Sequence, residues 1–289
     1  MDPKRKAYDV ADRHVRSEIR SGNTVTLMTE VDLSEVELLR EAAARADERK
    51  PSYTALVVKA VALALRDFPY ANRRIVRRPW LPFSGARLQQ FERADVAVAF
   101  ERELPGVEVA TCMDVLRDAD KLGLPETTDW LHALLEAEGT SNAQWDQFVW
   151  IVTHLPARVV AFLMRLQVLV PSLWIRYRGS AALVSSPAKY GVDIVAASWP
   201  WPLGVSFGVV RSRPIVRNGC VTVGRTFWLT LNFDRRLMAG APGARFFVRI
   251  VQILERAVTE MQAFLPPGVE VPASEPSSSP SALRPSGSP

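Results

Sequence analysis

FWLTLNFDRRLMAGAPGARFFVRIVQILE, residues 227–255, joins a strand pattern, a charged loop and a helix pattern without interruption. The run 226–233 is rich in apolar and β-branched residues, which predicts a strand. Alanine, proline and glycine at 239–243 then turn the chain, and a helix is predicted at 244–263. The three charged residues at 234–236 therefore lie in a short loop between a predicted strand and a predicted helix.

Outward from this stretch, strand and helix patterns alternate along most of the chain. The helix pattern at 52–68 is apolar nearly all round, which indicates burial, and Pro69 ends it. Long helices mixed with several strands and hairpin turns predict an α/β (α+β) fold with one domain within the first 265 residues. Further strands are predicted at 24–31, 94–100, 107–112, 181–185, 192–197, 205–210 and 220–223, and further helices at 35–48 and 122–138.

The predicted domain spans 28–265, with a charged arm or helix at 1–27 before it and a tail at 266–289 after it. The tail consists mainly of proline, serine and glycine. Because it cannot bury enough apolar surface to fold, we expect it to be disordered. The first 20 residues contain no apolar segment, so no signal peptide is expected.

The segment 147–178 is unusually apolar and reads QFVWIVTHLPARVVAFLMRLQVLVPSLWIRYR. Its longest unbroken apolar run, 159–164, is far shorter than the ~20 residues that cross a bilayer. His154, Arg158 and Arg165 share one helical face at offsets of 4 and 7. We therefore expect an amphipathic helix that packs on the domain or covers substrate, with membrane-surface contact as the alternative. No transmembrane segment is expected.

The composition is that of a soluble globular protein, with 48% hydrophobic and 23% charged residues in a chain of 289. The net charge of +5 is modest and spread along the chain. This distribution argues against nucleic-acid binding and is compatible with an anionic ligand. The two cysteines, Cys112 and Cys220, are too few for a disulfide framework or a metal site. We expect free thiols in a cytoplasmic protein and no bound metal.

Four stretches of the chain follow one another in an order and spacing that are also found in a known protein family. They are SYTALVVKAVALALRDFPYANRRI at 52–75, the paired strands and loop at 93–126, GSAALVSSPAKYGVD at 179–193, and residues 227–255. Together they resemble the acyltransferase catalytic domain of 2-oxo acid dehydrogenase complexes, in the dihydrolipoamide acyltransferase and chloramphenicol acetyltransferase superfamily. The resemblance implies a two-layer sandwich in which a mixed sheet carries helices on one face. It also implies acyl-CoA as co-substrate and active sites between the subunits of a homotrimer or of larger trimer-based assemblies.

The resemblance assigns catalysis to a loop with the pattern His, Arg, two apolar residues, Asp, Gly. In that family the histidine is the general base for the acceptor, and the aspartate holds the loop through an ion pair with an arginine. Here residues 235–240 read Arg-Arg-Leu-Met-Ala-Gly, so Arg236 and Gly240 match, whereas the histidine and aspartate positions hold Arg235 and Ala239. Because arginine keeps its proton at neutral pH, Arg235 cannot be the base.

Two residues are candidates for the missing base, His154 in the apolar segment and Asp234 beside the loop, although a structural role is the simpler interpretation of each. Arg235 is either a solvated or ion-paired loop residue or a binder of an anion such as phosphate, carboxylate or enolate. These three residues and Ser185 are the predicted catalytic set.

In this family a serine or threonine hydroxyl stabilises the oxyanion, and Ser185 matches that position. The alternative is a serine at a strand end that is satisfied by the backbone. The stiff loop Trp199-Pro200-Trp201-Pro202 either lines an acceptor pocket or packs at a subunit contact. The predicted substrate-binding residues are Ser186, Arg236, Gly240, Trp199 and Trp201.

Three functions stay open at this point. The first is acyl-CoA-dependent transfer to a small hydroxyl or thiol acceptor. The second is a catalytically inactive relative that binds coenzyme A or an acyl ligand, or completes the site of an active paralogue. The third is redirected chemistry, such as an elimination or cyclisation, in the same channel. No lipoyl domain or subunit-binding domain is recognisable before residue 28, so we expect a stand-alone protein.

Overall fold

The computed structural model describes residues 2–18, 23–45, 49–76, 87–104, 107–136, 143–217 and 219–271. Its helices are α1 (Pro3–Glu18), α2 (Ser34–Arg45), α3 (Tyr53–Asp67), α4 (Leu124–Glu136), α5 (Ala143–His154), α6 (Ala157–Leu169), α7 (Pro171–Arg178), α8 (Gly240–Glu255) and α9 (Ala257–Met261). Its strands are β1 (Thr24–Asp32), β2 (Arg73–Val76), β3 (Arg87–Gln90), β4 (Val96–Leu104), β5 (Val107–Leu116), β6 (Ala182–Ser185), β7 (Leu203–Phe207), β8 (Arg211–Arg217) and β9 (Cys220–Asp234). Short 3-10 turns lie at Ala188–Tyr190 and Gln262–Phe264.

Seven strands form one mixed sheet in the order β1-β9-β7-β6-β4-β5, with β8 added along β9. The β4–β6 and β6–β7 pairs are parallel, and the other pairs of this sheet are antiparallel. Strands β2 and β3 form a separate two-stranded sheet. Helices α3 and α8 pack on each other and against strands of the large sheet. This mixed sheet with covering helices confirms the predicted fold class.

Helix α3 is the central buried helix, as its apolar sequence predicts. Every residue from 55 to 65 is buried, and the Ser52 hydroxyl caps the first turn by accepting a hydrogen bond from the Ala55 amide at 3.1 Å. Lys59 lies within this buried run and donates to three backbone carbonyls of the 119–122 turn. Because an ammonium group has three donors, the turn satisfies Lys59 fully and is held against α3.

The contact between β9 and α8 depends on one glycine. Leu231 and Phe233 point to the same face of the sheet and are at most 1% exposed, whereas Thr230 and Asn232 point to the opposite face. A Cβ atom at Gly243 of α8 would lie 2.5 Å from Cζ of Phe233. Glycine at this position therefore allows the helix to approach the Phe233 ring directly.

The apolar segment forms three helices, α5, α6 and α7, where one amphipathic helix was expected. Prolines account for the breaks, since Pro156 precedes α6 and Pro171 begins α7. Ala7 of α1, Val152 of α5 and Val160 of α6 form a small hydrophobic cluster separate from the main core. In the described part of the chain no single helix is long and apolar enough to cross a membrane; α6 and α7 pass that test only as a pair bent by 94°.

The strand predicted at 192–197 is wrong. This stretch crosses the polar face of the sheet, where the Val195 carbonyl accepts a hydrogen bond from the Thr230 hydroxyl at 2.6 Å. The backbone passes so close that a Cβ atom at Gly208 would lie 1.8 Å from the Asp193 carbonyl oxygen. A segment in this position packs on the sheet and does not extend its ladder.

Other boundaries also differ from the expectations. The strands predicted at 220–223 and 226–233 are one continuous strand, because its first half pairs with the unpredicted strand β8. The C-terminal helix begins at Gly240 and is interrupted at Arg256. β1 begins at Thr24, so the predicted start of the domain at residue 28 falls inside a strand. The predicted disordered tail lies, from residue 272 onward, outside the described residues.

We predict that Gly243→Val lowers the free energy of unfolding by about 2 kcal/mol or more, because the added side chain meets the Phe233 ring in a packed core. Chemical denaturation measures this change. Gly240→Val is the matched control, since a Cβ atom at Gly240 meets no atom within 4 Å. Equal effects of the two variants would contradict the close packing of α8 on β9.

Candidate active site

Ser185 ends the central strand of the sheet. β6 lies between β4 and β7, and its first three residues, 182–184, are fully buried. Ser185 is the first residue of the strand with access to solvent, and among the described residues its hydroxyl has no hydrogen-bond partner. The end of this strand therefore presents the Ser185 hydroxyl without a partner among the described residues.

Ser186 has a different environment. Its hydroxyl donates to the Phe207 carbonyl at 2.9 Å and accepts from the Ala188 amide at 3.3 Å. The turn that follows closes at Gly191, which has the left-handed conformation with φ of 73°. Ser186 thus anchors the turn after β6 to the end of β7, and its predicted role in substrate binding stays a prediction.

The loop after β9 is held by both backbone and side-chain hydrogen bonds. The Arg235 amide donates to the Asn23 carbonyl at 2.7 Å. The Asp234 carboxylate accepts hydrogen bonds from both the amide and the Nε of Arg236, each at 2.9 Å. Asp234 is therefore engaged with its own loop, as expected of a structural residue, and Arg236 is its ion-pair partner.

Two residues that the sequence analysis did not identify hold the rest of this loop. Nη2 of Arg73 donates to the Leu237 carbonyl at 3.0 Å, and the Tyr70 hydroxyl donates to the Pro242 carbonyl at 2.9 Å. Ala239 is the N-cap of α8 and provides no side-chain hydrogen bond. Contacts from the region after α3 therefore fix the loop where the resemblance implies an aspartate ion pair.

The Arg235 side chain is exposed, and among the described residues it forms neither an ion pair nor a hydrogen bond. Its positive charge is thus uncompensated within the described chain. A guanidinium in this state is suited to bind an anion in a forked geometry. Gly240 begins α8, and apart from its chain neighbours and its own helix backbone no atom lies within 4 Å of where its Cβ atom would be.

One chain does not bring Ser185 and Arg235 together. Ser185 aligns with Ser206 of β7, and Ser206 aligns with Thr230 of β9. β9 runs antiparallel to β7, so Arg235, five residues after Thr230, lies beyond the opposite end of the sheet. At about 3.4 Å per residue and about 4.8 Å per strand, the two residues are roughly 20 Å apart.

His154 lies in the helical cluster formed by α1, α5 and α6. It ends α5, is exposed, and forms a hydrogen bond through Nδ1 with the Trp150 carbonyl at 2.9 Å. Its ring also stacks on that of Trp150, with centroids 4.9 Å apart. These contacts lie within its own helix, and its predicted role as a replacement base stays a prediction.

The two tryptophans of the predicted pocket occupy different positions. Trp201 is 7% exposed and donates through Nε1 to the Arg178 carbonyl at 2.9 Å, as in a packing loop. Trp199 is half-buried and lies over Gly204 of β7, with Cδ1 2.7 Å from where a Cβ atom would be. Both contacts are internal to the chain, and substrate binding by either residue stays a prediction.

Arg178, whose carbonyl accepts the hydrogen bond from Trp201, also contacts charged and aromatic side chains. Its guanidinium donates to both carboxylate oxygens of Glu18, at 2.6 and 2.7 Å, and lies 4.9 Å from the ring centre of Trp174. Nε2 of His14 lies 2.7 Å from the same carboxylate. Burial alone raises the pKa of Glu18, but the hydrogen bonds with His14 and Arg178 outweigh burial and lower that pKa.

The family model for the 2-oxoacid dehydrogenases acyltransferase (catalytic domain) matches residues 10–148 and 177–262. The chain belongs to this family. Residues 149–176, which contain most of the apolar segment, lie outside the match. Among the described residues, no three His, Cys, Asp or Glu side chains group in a way that could hold a metal ion.

Two curated relatives are components of 2-oxo acid dehydrogenase complexes. The dihydrolipoyllysine-residue acetyltransferase component of the pyruvate dehydrogenase complex of Zymomonas mobilis is 22% identical over 209 residues, 72% of this chain and 38% of that protein. The dihydrolipoyllysine-residue succinyltransferase component of the 2-oxoglutarate dehydrogenase complex of Rickettsia conorii is 22% identical over 244 residues, 81% of this chain and 51% of that protein. The chain thus spans about half or less of the length of these relatives.

A solved relative has the same fold. The dihydrolipoamide acetyltransferase of Azotobacter vinelandii superimposes with a TM-score of 0.61 at 18% identity, covering 87% of this chain and 89% of that one. A serine, a histidine and an asparagine of that enzyme were investigated for their role in its catalytic mechanism.

We predict that Ala239→Asp stabilises the protein by about 1 kcal/mol, because aspartate accepts hydrogen bonds from the first amides of a helix and favours its positive end. Thermal unfolding measures the change. Ala239→Leu has a larger side chain without the carboxylate and serves as the control, with no gain expected. A loss of stability in the aspartate variant would contradict the N-cap assignment.

We predict that Glu18→Gln destabilises the protein at pH 7 by about 3–5 kcal/mol, because it leaves the Arg178 guanidinium buried without a counter-charge. The folded pKa of Glu18 is lowered, so its contribution is present above the unfolded pKa and is lost as pH falls through the folded pKa. The difference in free energy of unfolding between the wild type and Glu18→Gln should therefore become smaller as pH falls from 7. Chemical denaturation of both proteins at each pH measures it. Glu136→Gln, in an exposed ion pair, should have little effect at any pH.

Proposed function

We propose that this protein transfers an acyl group from acyl-CoA to a small acceptor that carries an ionised thiol or hydroxyl. The observation that carries the proposal is the Ser185 hydroxyl, unengaged among the described residues, at the end of the central strand of an acyltransferase-family sheet. Coenzyme A would supply the acyl group as a thioester. Ser185 is suited to donate a hydrogen bond to the charge that develops on the thioester carbonyl oxygen.

The proposed site is shared between two copies of the chain. Acyl transfer needs its reacting groups within about 3–3.5 Å, and Ser185 and Arg235 of one chain lie too far apart to meet. A homotrimer, as the resemblance implies, would bring Ser185 of one copy to the Arg235 loop of the next. The β8–β9 hairpin presents an apolar face suited to such a contact, with Val216, Val221 and Val223 each more than 70% exposed.

Arg235 defines the acceptor that this site can use. A neutral alcohol needs a base to remove its proton, and arginine cannot act as one. A guanidinium close to an acidic thiol, phenol or enol lowers the pKa of that group and binds the resulting anion. We therefore assign Arg235 to binding and orienting an acceptor that is already ionised near neutral pH.

A catalytically inactive role is the second candidate, and the alanine at position 239 favours it. Such a protein would bind coenzyme A or an acyl ligand, or would complete the site of an active paralogue. Elimination or cyclisation in the same channel, with Arg235 stabilising an anion, is the third. Release of coenzyme A by the wild-type protein when acyl-CoA and an ionisable acceptor are both present separates acyl transfer from these two functions.

We predict that the protein releases coenzyme A from acetyl-CoA or longer acyl-CoAs in the presence of acidic thiols or phenols, and not with simple alcohols. Ser185→Ala should lower kcat by about 10²–10³-fold, because a donor to the developing oxyanion is lost. Ser172→Ala, at an exposed serine at the start of α7, should leave the rate unchanged. Thiol release, followed with a chromogenic disulfide, is the measurement.

The variant Arg235→His, Ala239→Asp, which restores the family pattern, sharpens the test. It should gain turnover with dihydrolipoamide and other weakly acidic acceptors, since histidine can accept their proton. Wild-type turnover that survives Ser185→Ala at full rate would refute the oxyanion role. A silent wild type beside an active double variant would favour the inactive or redirected alternatives.

A further inference from the structure

The segment that the family model leaves unmatched has an unusual charge pattern. Residues 149–176 lie outside the match, and the surrounding segment 147–178 contains four arginines and no aspartate or glutamate. Arg178 is neutralised internally by Glu18. The fold shared with the family therefore does not account for the other three arginines.

These three arginines are exposed and uncompensated. Arg158 and Arg165 lie on α6 and Arg176 lies on α7, and all three side chains are exposed. Among the described residues none of them forms an ion pair or a side-chain hydrogen bond. The segment thus presents positive charge to whatever approaches it from outside.

Large apolar side chains are exposed on the same helices. Trp150 of α5 is 56% exposed, Phe162 of α6 is 61% exposed and Ile175 of α7 is 37% exposed. On α6 the exposed face contains Arg158, Phe162 and Arg165, at offsets of 4 and 7, whereas Val160 and Met164 point into the protein. The outer face of α6 therefore combines an aromatic ring with flanking guanidinium groups.

The shape of the segment is better suited to lie on a membrane surface than to cross the membrane. Because α6 and α7 meet at 94°, they do not form a continuous apolar rod of bilayer length. Short helices that lie in the plane of a membrane insert aromatic and aliphatic side chains at the boundary between headgroups and acyl chains, while arginines contact anionic headgroups.

From these observations we propose that helices α5–α7 form a docking surface for an anionic lipid bilayer. The uncompensated arginines match the negative surface of such a bilayer, and the exposed Trp150 and Phe162 match its apolar boundary. Charge alone would equally fit a nucleic acid, but binding to phosphates provides no burial for the aliphatic side chain of Ile175. The proposal is independent of acyl transfer, since it involves neither Ser185 nor Arg235.

The test is flotation of the full-length protein with two kinds of vesicle, phosphatidylcholine alone and phosphatidylcholine mixed with phosphatidylglycerol. Wild type should float with the mixed vesicles and not with the neutral ones. Arg158→Gln, Arg165→Gln should weaken binding roughly 25-fold, at about fivefold for each cation near an anionic surface. Arg245→Gln, Arg256→Gln removes two exposed arginines outside the segment and should bind as wild type does.

Apolar insertion is tested separately. Phe162→Ser should reduce flotation, whereas Leu135→Ser, at a comparably exposed site on α4, should not. Wild type should also show a blue shift of tryptophan emission on mixed vesicles that Trp150→Phe reduces. Thermal unfolding of each variant checks that the fold is retained.

Three results of the vesicle experiments would overturn the proposal. The first is equal binding of the wild type to both vesicle types, and the second is absence of binding to mixed vesicles. The third is an equal loss of vesicle binding in the segment variants and in their control variants. If Phe162→Ser instead abolishes self-association of the protein without vesicles, the face is a contact between copies and the lipid assignment is wrong.

Discussion

The long strand β9 is the constraint on which the rest of the structure depends. It pairs with β8 through its first half and with β1 and β7 through its second half. Phe233, at its end, is packed under α8 at Gly243, which leaves no space for a side chain. Because both faces and both edges of the strand are engaged, the loop that follows it has little freedom. The position of Arg235 is therefore determined by sheet packing as well as by contacts within the loop.

The same strand directions separate the two parts of the candidate site. β6 and β7 are parallel, and β9 is antiparallel to them, so Ser185 and Arg235 leave the sheet at opposite ends. A chemistry that uses both residues has to bring two copies together, which couples the proposed activity to assembly. The loop itself is kept in place by Arg73 and Tyr70 acting on backbone carbonyls. Those contacts explain how the loop can keep its shape with alanine at position 239.

The helical segment α5–α7 is largely an addition of this chain to the framework that it shares with the family. Helices α5 and α6 pack through Val152 and Val160 on the N-terminal helix, in a cluster apart from the main core, whereas Trp174 of α7 belongs to the main core. The buried pair of Glu18 and Arg178 joins the two parts, since Arg178 also contacts Trp174 of the main core.

The sequence by itself determined the buried helix α3 and the succession of β9, loop and α8, because the local periodicity of apolar residues predicts them. It also placed Arg235 and Arg236 in the loop between that strand and that helix. Only the tertiary structure decided that 192–197 crosses the sheet, that the apolar segment bends into three helices, and that Arg73 supports the Leu237 carbonyl. These features depend on strand order and on contacts between residues far apart in the chain, 164 positions in the last case. Local patterns contain no information on such distances, because a side chain's periodicity specifies which face it occupies and not which element covers that face.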